Sequence, residues 1–284
     1  MTVRVGISGW TYPPWRGVFY PPKLPHRREL EYASRRLNSI EINGSFYSLQ
    51  RASSYRTWYA RTPPGFVFSV KGPRFVTHLK KLADAASPVA NFFASGPLAL
   101  ADKLGPVLWQ LPPSLGFDPA RLEAFFALLP RTLGEAAHVG AGHDARLGSG
   151  DPADGRVWLQ VPPELTGQPL RHVLEVRHPS FETPQLAPLL RAHGVGLVVA
   201  DTAGRWPMLF DVTADLVYVR LHGAEELYVS GYDPLALDAW AARCASWRDA
   251  GLDVFVYFDN DVKVRAPFDA MALAERLGAT PAGG

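Results

Sequence analysis

Eight short segments of this 284-residue chain repeat one pattern: aliphatic residues alternate with small or polar ones, and a polar side chain stands near the C-terminal end. They are residues 3–8, 39–43, 66–71, 107–111, 173–177, 195–201, 216–222 and 253–259. A period of two predicts strands, because successive side chains of a strand point to opposite faces. Between them apolar residues recur three and four apart, which predicts helices. The helices expected are 27–37, 53–60, 202–212 and 268–277, with others starting at Ser87-Pro88, Asp118-Pro119, Thr183-Pro184 and Asp233-Pro234. A hydroxyl or carboxylate before proline suits a helix start, since the side chain caps an orphan amide and proline lacks one. Strand then helix, taken eight times in this length, predicts an α/β fold and favours a single (β/α)8 TIM-type barrel over residues 1–284. An open doubly wound sheet is the alternative, because the pattern does not show closure.

The glycine-rich stretch 131–171 is too long for a helix-to-strand link and is expected as an insertion before the fifth strand. Inside it, residues 157–165 echo residues 107–115, which raises an extra strand or a distant duplication. His138, His143 and Asp144 read as solvated loop residues. Residues 9–25 form a loop rich in proline and aromatic side chains, with Trp10, Tyr12 and Trp15 serving either as a wall over a ligand or as a plug on the core.

The polar strand ends mark where chemistry would sit. Ser8, Glu41 with Asn43, Lys71, Gln110, Glu175 with Arg177, Arg220 with His222, and Asp259 fall opposite the main aliphatic set. Asp201 ends its strand in phase with its aliphatic residues. Barrel enzymes carry their reacting groups at the C-terminal ends of the strands, so this set predicts a polar mouth. The charges nearly balance, with Glu41, Glu175, Asp201 and Asp259 against Lys71, Arg177 and Arg220, and so they also suit a structural ion network. Parity pairs Glu175 with Arg177 and turns His178 away from both.

A formal net charge of +2 gives no general pull toward nucleic acid or an anionic membrane, so a small anionic ligand is the expected partner. The lone Cys244 excludes an internal disulfide or a multi-cysteine metal site and is expected in the core. No apolar run reaches membrane-spanning length and no signal-peptide pattern precedes the first strand, so a cytoplasmic protein is expected.

Several motifs together resemble the YecE-like family, domain of unknown function 72 (DUF72), over almost the whole chain. They are Gly6-Ile7-Ser8-Gly9-Trp10 with Tyr12 and Trp15, Phe19-Tyr20-Pro21, Glu41-Ile42-Asn43 with Phe46-Tyr47, and Lys71 with Thr77-His78. Further along stand Leu104-Gly105-Pro106 with Gln110-Leu111-Pro112-Pro113, Glu175-Val176-Arg177-His178, Asp201, residues 218–223, and Tyr257-Phe258. The resemblance implies a TIM-type barrel and brings no established reaction. Three departures stand out: Asp259-Asn260 where the family usually has two asparagines, Phe181 where it usually has tryptophan, and the glycine-rich insertion, which is peculiar to this chain. Asp259 therefore adds a carboxylate to the mouth.

These residues point to an enzyme, a hydrolase or lyase, that applies acid–base chemistry to a phosphate- or nucleotide-like anion. Arg177, Arg220 and Lys71 would hold the anion, since guanidinium groups suit oxyanions. Glu175, His222 and Asp201 would move protons. Trp10 and Tyr12 would stack on a ring, and Glu41, Asn43, Gln110, Tyr257 and Asp259 would complete the binding surface. No organic-cofactor motif and no compact metal-ligand motif is present. One alternative is a metal-dependent hydrolase or isomerase using a divalent ion on carboxylates and a histidine. Another is a non-catalytic module that binds a ligand or nucleic acid. A common barrel glycosidase would need carboxylates after the fourth and seventh strands, where this chain has Gln110 and Arg220.

Overall fold

A computed structural model describes residues 1–145, 147, 155–279 and 281. Eight strands close into a barrel in sequence order, as the alternation favours. They are β1 (Val3–Ser8), β2 (Ser39–Ile42), β3 (Val67–Lys71), β4 (Leu104–Gln110), β5 (His172–Glu175), β6 (Val195–Asp201), β7 (Leu216–Leu221) and β8 (Asp253–Phe258). The α-helices are α1 (Glu29–Ser34), α2 (Gly44–Tyr47), α3 (Ala52–Arg61), α4 (Ala86–Ala94), α5 (Pro119–Phe126), α6 (Leu133–Ala141), α7 (Leu186–Ala192), α8 (Pro234–Asp249) and α9 (Ala266–Arg276). No helix among the described residues is long and apolar enough to cross a membrane.

The chain packs as two compact units. The first comprises Met1–Glu41, Thr62–Val67 and Gly196–Gly284; the second comprises Ile42–Arg61 and Phe68–Val195. In the first unit β1 pairs in parallel with β2 and β8, and β7 with β6 and β8. One face of these strands carries Val5, Ile7, Val219, Leu221, Val254 and Val256, all buried, as are Leu237 and Cys244 of α8 and Leu273 of α9. Burial pushes the Cys244 thiol up to about 12, as suits a small core hydrophobe. The opposite face carries Gly6, Ser8, Ser39, Glu41, Tyr218, Arg220 and Tyr257.

In the second unit the core gathers around Trp109, whose ring meets Phe92 at 5.7 Å and Phe125 at 5.1 Å, both edge-on. Its indole N–H donates to His172 Nδ1 at 3.2 Å, so the other ring nitrogen carries the proton and donates to the Pro130 carbonyl at 2.7 Å. Burial pushes His172 down to about 4 and keeps it neutral, a structural histidine.

Several local expectations are corrected. Residues 202–212 form turns and no helix: Ala203 and Gly204 both have positive φ, Thr202 Oγ1 accepts from the Trp206 amide at 3.1 Å, and Pro207 follows. Asp118 and Asp233 cap their helices as expected, but Ser87 lies inside α4 and bonds Asp144 at 3.0 Å instead. Thr183 likewise precedes an α7 that has no side-chain cap. Within 131–171, residues 146 and 148–154 lie outside the described residues. The rest holds α6 and a 3-10 turn at Pro163–Leu165, and residues 157–162 pair with no strand. Asp144 is no solvated loop residue: it accepts from Ser87, and its amide donates to Asn91 Oδ1 at 2.9 Å.

Gly6 has no room for a side chain. A Cβ there would lie 2.1 Å from the Ser39 carbonyl oxygen and 3.3 Å from the Tyr257 ring, whereas one at Gly167 would meet nothing within 4 Å. Gly6→Ala is therefore expected to cost about 3 kcal/mol in urea unfolding, at the upper end of overpacking costs, and Gly167→Ala to stay within about 0.5 kcal/mol of wild type.

Candidate functional site

In the first unit the polar ends of four strands meet on one guanidinium. Arg220 Nη2 lies 2.9 Å from Glu41 Oε1 and 2.9 Å from Asp259 Oδ2, and its Nε lies 3.1 Å from Glu41 Oε2. Ser8 Oγ donates to Glu41 Oε1 at 2.5 Å, and the Tyr218 hydroxyl donates to Oε2 at 2.6 Å. Arg220 and Glu41 have no exposed side-chain surface, and Asp259 has 11%. Alternation explains the meeting: Tyr218, Arg220 and His222 share a face, and the β1–β2 register sets Ser8 beside Glu41. Charges so deeply buried persist because each is paired and hydrogen-bonded.

His222 joins this network in a restricted way. Its Nε2 is 3.3 Å from Arg220 Nη1, and a guanidinium can only donate, so Nε2 accepts. The ring proton is then on Nδ1, 3.1 Å from Asp259 Oδ2. The acceptor lone pair expected to move protons is already used by Arg220. Asp201 borders the network through His222, whose amide donates to its carbonyl at 2.9 Å, and its carboxylate accepts from the Tyr232 hydroxyl at 3.1 Å and the Ala203 amide at 3.4 Å. Burial raises its carboxyl above the usual range, against those hydrogen bonds. Tyr257 is fully buried, with its hydroxyl 2.6 Å from Ser39 Oγ, and so it belongs to the packed interior.

The aromatic loop divides. Trp15 and Tyr20 are plugs, fully or almost fully buried, and the Tyr20 hydroxyl donates to the Trp10 carbonyl at 2.6 Å. Trp10 and Tyr12 stay partly exposed, and the Tyr12 hydroxyl donates to the Ser8 carbonyl at 2.5 Å. The Tyr12 hydroxyl also lies toward the Asp261 carboxyl, and Trp15 Nε1 donates to the Asp261 carbonyl at 3.2 Å. Burial and then the charge of Asp259 push Asp261 up to about 6. Sequence reasoning missed Asp261, although a second carboxylate two residues beyond Asp259 was the available signal.

In the second unit Glu175, fully buried, accepts from Gln110 Nε2 at 2.8 Å and from Arg177 Nε at 2.9 Å. It thereby orients the guanidinium. Lys71 Nζ sits 4.1 Å from the Phe46 ring centroid, an arrangement in which the ring face attracts the cation. Ser45 Oγ donates to the Lys71 carbonyl at 2.6 Å, fixing the strand end. The Phe46 ring meets His78 edge-on at 5.0 Å. His78 itself sits on a π-helical turn, Phe75–Leu79, a rare geometry that recurs at functional sites. It is partly exposed, and its Nδ1 lies 2.9 Å from Thr77 Oγ1. Burial first, then Lys71, Arg177 and Arg74, push His78 down to about 4. Asn43 is partly buried at the start of α2, with its Oδ1 enclosed and accepting no hydrogen bond among the described residues.

The sequence-derived residues thus fall into groups. Arg220, Glu41, Asp259 and His222 form one network, and Gln110, Glu175 and Arg177 another. Lys71 stands with Phe46 and His78. Asp201 and Tyr257 have partners of their own. Among the described residues, no three His, Cys, Asp or Glu side chains are placed to hold a metal ion.

Two outcomes follow. Arg220→Met leaves Glu41 and Asp259 buried without their counter-charge, and it is expected to cost about 3–5 kcal/mol and lower Tm by on the order of 10 °C. Asp261 binds its proton more tightly folded than unfolded, so its contribution favours the fold at low pH and is lost as pH rises from about 4 to about 6. Asp261→Asn should therefore raise Tm relative to wild type at pH 8, and the gain should shrink toward pH 4.5 in thermal melts.

Comparison with known proteins agrees with this architecture. The family model described as "Protein of unknown function DUF72" matches residues 4–283. A DUF72-family protein of Thermotoga maritima superimposes with a TM-score of 0.77, 24% identity and coverage of 98% of this chain and 100% of that one. A DUF72-family protein of Enterococcus faecalis superimposes with a TM-score of 0.71, 15% identity and coverage of 98% and 96%. The UPF0759 protein YunF of Bacillus subtilis is 28% identical over 116 residues, which span 39% of this chain and 40% of that protein. The shared barrel and the match over nearly the whole sequence make this chain a member of the DUF72 family.

Proposed function

We propose that this chain is an enzyme that binds an anionic, phosphate- or nucleotide-like substrate and treats it by acid–base chemistry. Lys71, Arg177 and Arg74 are the anion's partners in this reading. The observation that carries it is the set of cations around a neutral, partly exposed imidazole in the second unit. A guanidinium held at its Nε by Glu175 is pre-oriented for an oxyanion, and an ammonium over Phe46 supplies a fixed point charge. The neutral His78 has a bare ring nitrogen to accept a proton, and an oxyanion seated among the cations would bring its proton affinity up from about 4 toward the range that suits acid–base work. Arg220 is left out of the anion's partners, because Glu41 and Asp259 already face its guanidinium and would repel a second anion. Glu175 is read as a positioning residue, since its carboxylate accepts from Gln110 and Arg177.

Thermal melts with inorganic phosphate test this. At ten times Kd, phosphate should stabilise the wild type by about 1.4 kcal/mol, which raises Tm by about 3 °C. Lys71→Met and Arg177→Ala should each lose most of that shift. A wild type indifferent to phosphate, or a shift that survives in both variants, would sink the proposal.

A further inference from the structure

Resting on that reading, we infer that anion binding at this cluster is coupled to protonation of His78. The imidazole takes up a proton as the anion arrives and becomes a further cationic partner. The geometry supplies three reasons.

His78 is partly exposed and Arg74 exposed, while Lys71 and Arg177 are buried, so solvent protons reach the imidazole directly. Its Nδ1 partner is a hydroxyl, Thr77 Oγ1 at 2.9 Å, which donates to a bare Nδ1 or accepts from a protonated one. Both ionisation states are therefore satisfied without moving the ring. The turn that carries His78 begins beside Arg74, so ring and guanidinium are held close along one short segment.

The charges that act on the ring come from three segments, while α2 packs the uncharged Phe46 against it. Lys71 ends β3, Arg74 precedes the π-helical turn, Arg177 follows β5, and Glu175 opposes these three cations. Burial is the larger reason His78 stays neutral, and the three cations are the second. An oxyanion seated among those cations cancels the second, which raises the proton affinity of the ring. Linkage makes the effect reciprocal: if the anion favours the proton, the proton favours the anion by the same factor.

Sulfate is the suitable probe, since it has no titration of its own between pH 5 and pH 8. Binding to the wild type should weaken about tenfold from pH 5 to pH 7.5, while His78→Gln should bind with an affinity flat across that range. In the wild type, the His78 ring nitrogens followed by NMR should shift toward the protonated form on adding sulfate at pH 5.5, a measurement that needs no variant. Sulfate binding that depends on Lys71 and Arg177 but not on pH, with an unmoved His78 signal, would overturn the coupling and leave the anion site standing. Absence of binding by either sulfate or phosphate at every pH would remove the anion site itself, and the coupling with it.

Discussion

A buried guanidinium between two carboxylates organises the first unit. Arg220 draws together β1 through Ser8, β2 through Glu41, β7 through its own strand and Tyr218, and the end of β8 through Asp259. None of these groups could be buried alone, because an uncompensated charge in the interior costs several kcal/mol. Their mutual satisfaction is what allows four strand ends to be polar and packed at once. The small residues beneath serve the same arrangement: Gly6 lets the Ser39 carbonyl and the Tyr257 ring approach, and Tyr257 in turn bonds Ser39.

The second unit uses charge differently. There the carboxylate Glu175 steers one guanidinium, and the cations acting on His78 outweigh it. The contrast separates a network that closes on itself from a cluster that keeps a field directed at a partly exposed ring. It also divides the expected site residues by role. Ion pairs as short as those of Arg220 explain burial, whereas His78 is a partly exposed imidazole kept neutral first by burial and then by neighbouring cations. A perturbed ionisable group with specific charge neighbours is where function is most reasonably sought.

Much of this was legible in the chain before folding was considered. Strand alternation placed Arg220, His222, Glu41, Glu175 and Arg177 on the interior face, and the Glu175–Arg177 pair forms as its two-residue spacing implies. The helix at 202–212 was misread because apolar spacing there competes with a positive φ at Ala203 and Gly204 and a proline after Trp206. Asp261 and His78 escaped attention as site residues for a different reason. Both stand in loops or turns beyond a strand, where no periodicity indicates direction.

The sequence by itself determined the repeated strand and helix order, the family resemblance and the parity of each polar strand residue. Those are consequences of local geometry, since a pleated strand alternates its side chains whatever surrounds it. Only the tertiary structure decided which charges meet, that His222 gives its lone pair to Arg220, and that His78 lies among Lys71, Arg74 and Arg177. Such pairings depend on register, burial and the path of turns such as Phe75–Leu79, and these are set by residues far apart along the chain.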